Sequence, residues 1–277
     1  MTVRRLTNAD RAQAEAMWRE IFGDSEAFTA WYFSDRFLPE HSFGAFEQDR
    51  LVSMTLGRPT KIFIGGKTFD AMLISGVSTL PAYRKNGLMH AIMTRQIDHA
   101  REIGCACCYL HPVSESLYAS LGFRPGTDAL RIESDSARTH STFDLRDGID
   151  LPAMRAVYDT LLLTHDGMQL RDEAEWNALL QDYATDGGKT LVAYAENRPK
   201  GYLCYLADGT VSELFALCPS AYAALLDAVA ARLEQPLKAI VPTDCGLTGE
   251  RVYSMQYLVF NDAFSLPLKN GFCRLSY

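Results

Sequence analysis

At 277 residues the chain exceeds the usual single domain of about 100–200 residues, so two domains are expected. Hydrophobic residues make up 48% and charged residues 22%, the balance of a folded protein rather than a disordered one. A net charge of −7 and a pI near 5.4 exclude the basic stripe of a nucleic-acid binder, and no run of about 18 apolar residues is present to span a membrane.

The opening MTVRRLTNADRAQAEAMWREIF reads as a strand and an amphipathic helix, not as a signal peptide. Together with seven cysteines, an odd number, it points to a reducing cytoplasm. The helix is expected over residues 9–22, with Ala12, Ala16, Met17 and Ile21 on its buried stripe and Asn8 or Asp10 as cap. A second helical segment, Ser25 to Phe37, carries Trp31, Tyr32 and Phe33. The period then changes to strands: SFGAFEQ and LVSMTLG flank a turn at Gln48-Asp49-Arg50, and KIFIGGKTFDAML turns at Gly65-Gly66. LISGVSTLP is a central strand ending at Pro81. After AYRKNG, a helix places Leu88, Ile92, Met93, Ile97 and Ala100 on one face, with Gly104 just past its end. CACCYLH is a buried strand whose cysteines act as small hydrophobes. No metal site is expected there, because adjacent strand residues face opposite ways. SESLYASLG is a short helix capped by Glu115, followed by a strand that starts at FRP.

From about Ser141 the order repeats: two helices, a three-strand run through KTLVAYAENRPKGYLCYLADGTVSELFAL, a helix at PSAYAALLDAVAARLEQ, a strand at KAIVPTD and two closing β segments. SFGAFEQDRLVSM lies beside TLVAYAENRPKGYL, and MLISGVSTLP beside VSELFALCPS. This is a duplicated α+β unit of roughly 130 residues, jointed in the polar stretch 135–142. The expected domains are 1–138 and 139–277, each a mixed, mostly antiparallel sheet flanked by helices.

One segment carries chemistry. Val77-Ser78-Thr79 ends a strand, and Arg84-Lys85-Asn86-Gly87-Leu88-Met89 opens a helix. A helix start offers unpaired amides and a positive dipole end, which suit a pyrophosphate. Gly87 lets the backbone approach phosphate oxygens, and Arg84 and Lys85 supply charge. The bland alternative is a turn glycine beside solvated lysine and arginine.

The order V77-S-T-L-P81 then R84-K-N-G87-L-M89 resembles the cofactor motif of the GCN5-related N-acetyltransferase (GNAT) family, and specifically its tandem Eis-like branch without the sterol-carrier-like third domain. Met89 stands where the broad motif has Gly or Ala; the Eis-like branch tolerates a large apolar residue there. The resemblance implies acetyl-coenzyme A as co-substrate. It places the backbone of Val77 and Thr79 along the pantetheine arm, and the amides from Arg84 to Met89 on the pyrophosphate. A backbone N–H near Val77 would face the thioester oxygen. The segment Leu117 to Phe123 resembles the family's x-Tyr-x-x-x-Gly-Phe, which makes Tyr118 the acid that protonates the departing thiolate. By the same resemblance the carboxylate of Tyr277 would enter the active site as a base.

His111, beyond the strand CACCYL, and Trp31 and Tyr32 are candidates for the acceptor pocket, each with a structural role as its rival. The second copy reads PSAYAAL where the first has AYRKNGLM, so no second coenzyme site is expected. The implied activity is transfer of acetyl to a primary amine of a small molecule or a protein lysine, in a ternary complex; a homo-oligomer is compatible with it. Two rivals are an acyl-coenzyme A-binding regulator without turnover and a non-catalytic interaction module.

Overall fold

The computed structural model describes residues 1–114, 116–134 and 141–273. The joint expected between residues 138 and 139 lies outside the described residues, as do Glu115 and Tyr277.

The first repeat runs β1 (Thr2–Arg5), α1 (Arg11–Phe22), α2 (Glu26–Trp31), β2 (Phe43–Glu47), β3 (Arg50–Ile64), β4 (Lys67–Thr79), α3 (Leu88–Glu102), β5 (Cys107–Leu110) and β6 (Arg124–Ser134). The second runs β7 (Asp144–Asp147), α4 (Leu151–Leu162), β8 (Met168–Gln169), α5 (Glu173–Thr185), β9 (Lys189–Ala195), β10 (Arg198–Tyr205), β11 (Val211–Ala216), α6 (Pro219–Leu233), β12 (Leu237–Val241) and β13 (Glu250–Val259).

Several local expectations shift. In α1 the buried stripe is Ala14, Met17 and Trp18, while Ala12 and Ala16 face solvent. The small alanines fit either face, and the large indole decides the rotation. The second helical segment breaks after Trp31 into one π-helical turn, Tyr32–Arg36. LVSMTLG and KIFI form the single strand β3; among the described residues SESLYASLG keeps only a 3₁₀ turn at Ala119–Leu121, and one strand, β13, closes the regular structure instead of two.

Each repeat contributes its last strand to the other. Among the described residues, a nine-stranded sheet has the order β1-β2-β3-β4-β5-β13-β6-β12, with β8 paired to β3. A four-stranded sheet follows in the order β11-β10-β9-β7, and the bridge Thr210–Lys238 joins its edge to β12. The whole order is therefore palindromic about the β13–β6 pair. Strand β13 of the second repeat sits against β5 of the first, with Tyr257 opposite Tyr109, and β6 of the first sits against β12 of the second.

Alternation along the strands separates the cores. Met72 and Ile74 of β4, with Cys108 and Leu110 of β5, pack with Trp18, Phe28, Ile92 and Met93 from the helices. Ala71, Leu73, Cys107 and Tyr109 face the other way, onto Met255, Tyr257, Leu268 and Cys273. Cys107 and Cys108 thus enter different cores, and burial pushes both thiols up. Arg36 Nη2 and Arg58 Nη1 of the first repeat converge at 2.7 and 2.6 Å on Glu175 of α5, an ion-paired clamp between the repeats.

Candidate active site

The site begins where two parallel strands part. β4 and β5 pair only from Ala71–Cys107 to Leu73–Tyr109. β4 then runs on through Thr79 while β5 ends at Leu110, so one edge of residues 74–79 is released from the sheet. The opposite edge stays paired with β3 through a register shift: Leu56 faces Ser75, but Met54 faces Ser78. The extra residue is accommodated at Gly76, whose φ is +57°. A Cβ there would meet the Trp18 ring at 2.8 Å, so Gly76 is required by both conformation and packing. A glycine inside a strand pattern was the sequence signal for this bulge.

Residues 80–87 join the released strand to α3. A 3₁₀ turn at Pro81–Tyr83 leads to Lys85 and Gly87, both at positive φ (65° and 74°), and Gly87 is the left-handed residue immediately before the helix. A left-handed residue followed by a helical one turns successive amides toward one concavity, an anion-binding geometry. The first hydrogen bond of the helix is Ala91 N to Gly87 O, so the amides of Leu88, Met89 and His90 have no acceptor within the helix. Nothing lies within 4 Å of a Cβ built on Gly87, and residues 84–87 are exposed. Arg84 Nε donates to Thr79 O at 3.1 Å and Asn86 Nδ2 to Tyr83 O at 3.3 Å, so these two side chains brace the loop. Leu88 is buried and Met89 packs against the core. Open space, free amides and basic side chains fit a pyrophosphate, and the unpaired edge of residues 74–79 fits an amide-bearing arm laid beside it.

The released strand opens on a cleft of about 840 Å³. Its walls include Ser75, Gly76 and Val77, then His111 and Pro112 beyond β5, and Tyr118. Tyr118 precedes the 3₁₀ turn that Gly122 terminates at φ +90°, a conformation suited to glycine. Its ring lies 6.0 Å from Phe123. Burial raises its pKa to about 12, which keeps the phenol protonated and able to donate. His111 is exposed on the cleft wall. Trp31 is buried in the core and Tyr32 lies beneath the cleft, where its hydroxyl meets Ser75 Oγ at 3.0 Å.

The aromatic wall comes mainly from Trp18, Phe22 and Phe28. The Trp18 Nε1–H donates to Asp24 at 2.8 Å. The far wall is built by the second repeat and the exchanged strands: Asp182, Tyr183 and Asp186 from the end of α5, Arg131 from β6, Tyr253 and Ser254 from β13, and Cys273. Ser254 Oγ donates to Cys273 O at 3.0 Å, which fixes the last described residue at the cleft.

The second repeat lacks a matching loop. Only Leu217 and Cys218 separate β11 from α6, and Pro219 at the first helical position removes an amide. A second hollow of about 660 Å³, lined by residues including Lys189 and Tyr205, has Asp147 already paired with Arg232 in its wall.

Two domain models, both described as acetyltransferase (GNAT) domains, match residues 2–126 and 167–235. The chain belongs to the GNAT family, as a tandem of the Eis-like kind. An uncharacterised N-acetyltransferase of Streptomyces avermitilis is 28% identical over 214 residues, covering 67% of this chain and 52% of that protein. N-acetyltransferase Eis of Mycobacterium tuberculosis is 24% identical over 202 residues, covering 66% of this chain and 50% of that one. This tandem GNAT chain therefore spans about half the length of the curated relatives it matches. A GCN5-related N-acetyltransferase structure from Anabaena variabilis superposes with a TM-score of 0.73 over 93% of this chain and 72% of that one, at 16% identity, a likeness of fold.

Proposed function

We propose that the chain transfers the acetyl group of acetyl-coenzyme A to a primary amine in a ternary complex. The observation that carries this is a single convergence. The loop 80–87 with its left-handed Gly87, the released edge at residues 75–77 and the buried phenol of Tyr118 belong to one half of the tandem, and the edge and the phenol line one cleft.

In this reading the amides of residues 84–89 and the side chains of Arg84 and Lys85 hold the pyrophosphate, while Val77, Ser78 and Thr79 pair with the pantetheine arm. Bound coenzyme supplies an activated thioester. The amide near Val77 donates to the carbonyl oxygen as charge grows on it, and Tyr118 gives its proton to the departing sulfur. Orientation of the two substrates supplies much of the acceleration. Asp24, Asp182 and Asp186 give the acceptor end of the cleft an acidic lining, which favours a cationic amine, whether a small molecule or a protein lysine. Under the family resemblance the Tyr277 carboxylate is a further proton acceptor.

The test is calorimetric titration of the purified chain with acetyl-coenzyme A. One site per chain is expected, because only the first repeat has the loop. No detectable binding would overturn the proposal.

A further inference from the structure

The end of α5 belongs to the second repeat in sequence but is held against the first. The clamp from Arg36 and Arg58 fixes its first turn through Glu175, and Ser25 Oγ, before α2, donates to Asp186 at 2.7 Å just past its last turn. Between these anchors Asp182 lines the same cleft as Val77, His111 and Tyr118. The residue is half-buried, and among the described residues its carboxylate neither accepts a hydrogen bond nor pairs with a cation. The charges around it are unfavourable to ionisation: Asp186 just past the end of α5, Glu213 on β11 and Asp24 between α1 and α2. Glu213 is neutralised by Arg171, and the arginine that lines the cleft, Arg131 of β6, is paired with Glu250 at 2.9 Å. Asp182 also sits in the last turn of α5, where the helix dipole disfavours an anion. An unpaired carboxylate kept in such a place costs stability, the usual mark of a group retained for chemistry.

We propose that Asp182 takes the proton from the acceptor's ammonium group, so that the active site is completed by both repeats. This rests on the acetyltransferase reading above. The ammonium gives one proton to the Asp182 carboxylate, and the neutral amine nitrogen forms a bond to the thioester carbon. The carbon–sulfur bond breaks as Tyr118 protonates the sulfur, and the second nitrogen proton returns to the Tyr118 oxygen through water. The products are an amide and a free thiol, with one proton left on Asp182 for release to solvent. Burial and the like charges raise the Asp182 carboxyl to about 7, within reach of this exchange at neutral pH.

The experiment compares the full wild-type chain with Asp182→Asn and Asp182→Glu. Three readouts are used: acetyl-coenzyme A affinity, turnover of spermidine and of hydroxylamine across pH, and infrared titration of the carboxyl band. The wild type is expected to show a carboxyl titrating near pH 7, and kcat/KM for spermidine rising through the same range as Asp182 ionises. In Asp182→Asn both features vanish and spermidine turnover falls by roughly 10²–10⁴-fold, while coenzyme affinity is unchanged. Hydroxylamine, already neutral at pH 7, is spared, and Asp182→Glu recovers part of the loss. Because the raised carboxyl burdens the folded state at every pH above its ordinary value, Asp182→Asn also raises Tm at pH 8 relative to pH 4. A carboxyl that still titrates near pH 7 in Asp182→Asn, or none in the wild type, overturns the assignment whether or not spermidine is accepted. Failure of the wild type to bind coenzyme overturns the acetyltransferase reading as well, whereas intact binding with an unaltered variant overturns Asp182 alone.

Discussion

The two repeats share a strand-to-helix joint and use it differently. In the first, residues 80–87 intervene between β4 and α3 and expose a left-handed glycine, free amides and two basic residues. In the second, two residues intervene before Pro219. The helix behind the joint survives in both, while the parallel β4–β5 pair of the first is matched in the second, among the described residues, only by the single bridge Thr210–Lys238. Under the proposed reading, this architecture does not by itself make a coenzyme site: the loop would make it, and the second copy, which lacks the loop, would contribute its surface to the acceptor end of the cleft instead.

The largest expected effect comes from closing the loop. Gly87→Glu puts a carboxylate where nothing lies within 4 Å of a Cβ and should abolish calorimetric binding of acetyl-coenzyme A. The fold should bear only the left-handed penalty of about 1–2 kcal/mol. Unchanged affinity would break the comparison, because the loop would then not distinguish the repeats.

The second repeat should respond through stability. Arg171 and Glu213 form a pair whose side chains are 0% and 1% exposed, and Tyr202 donates to Glu213 at 2.8 Å. Glu213→Leu strands the guanidinium and should cost about 3–5 kcal/mol in urea unfolding. The protein that remains folded should keep its coenzyme affinity. Loss of affinity there would mean that the donor site also depends on the second copy.

The smallest effect of the three sharpens the role of the first repeat. Tyr118→Phe should lower kcat by roughly 10²-fold, with coenzyme affinity little altered, since the ring and its packing remain. Full activity would return Tyr118 to a purely packing role against Phe123.

Much of this was legible in the sequence for physical reasons. Hairpin turns, helix periods and the Val77-to-Met89 order are local signals, and local signals survive in one chain without a structure. The aromatic wall was less legible. Trp31 and Tyr32 drew attention as a cluster, yet Trp18 and Phe28 reach the cleft, because side-chain direction follows from helix rotation and the π-helical turn altered it. Asp182 gave no signal at all, as an aspartate on a helix looks in sequence the same as a solvated one. Its meaning lies in what α5 packs against. The exchange of β6 and β13 was equally hidden, since pairing between distant segments leaves no period to read.

That exchange has a consequence for synthesis. Cys107 pairs with Val259, so the free edge of β5 cannot be covered until β13 has been made. At ribosomal rates of about 5–20 residues per second, the edge of β5 waits on the order of 10 s with its backbone groups unpaired. The halves cannot mature in turn as independent beads would. Folding is committed late and at once, by contacts of high sequence separation that make it intrinsically slow. Truncation before β13 would leave not one good domain but an open sheet.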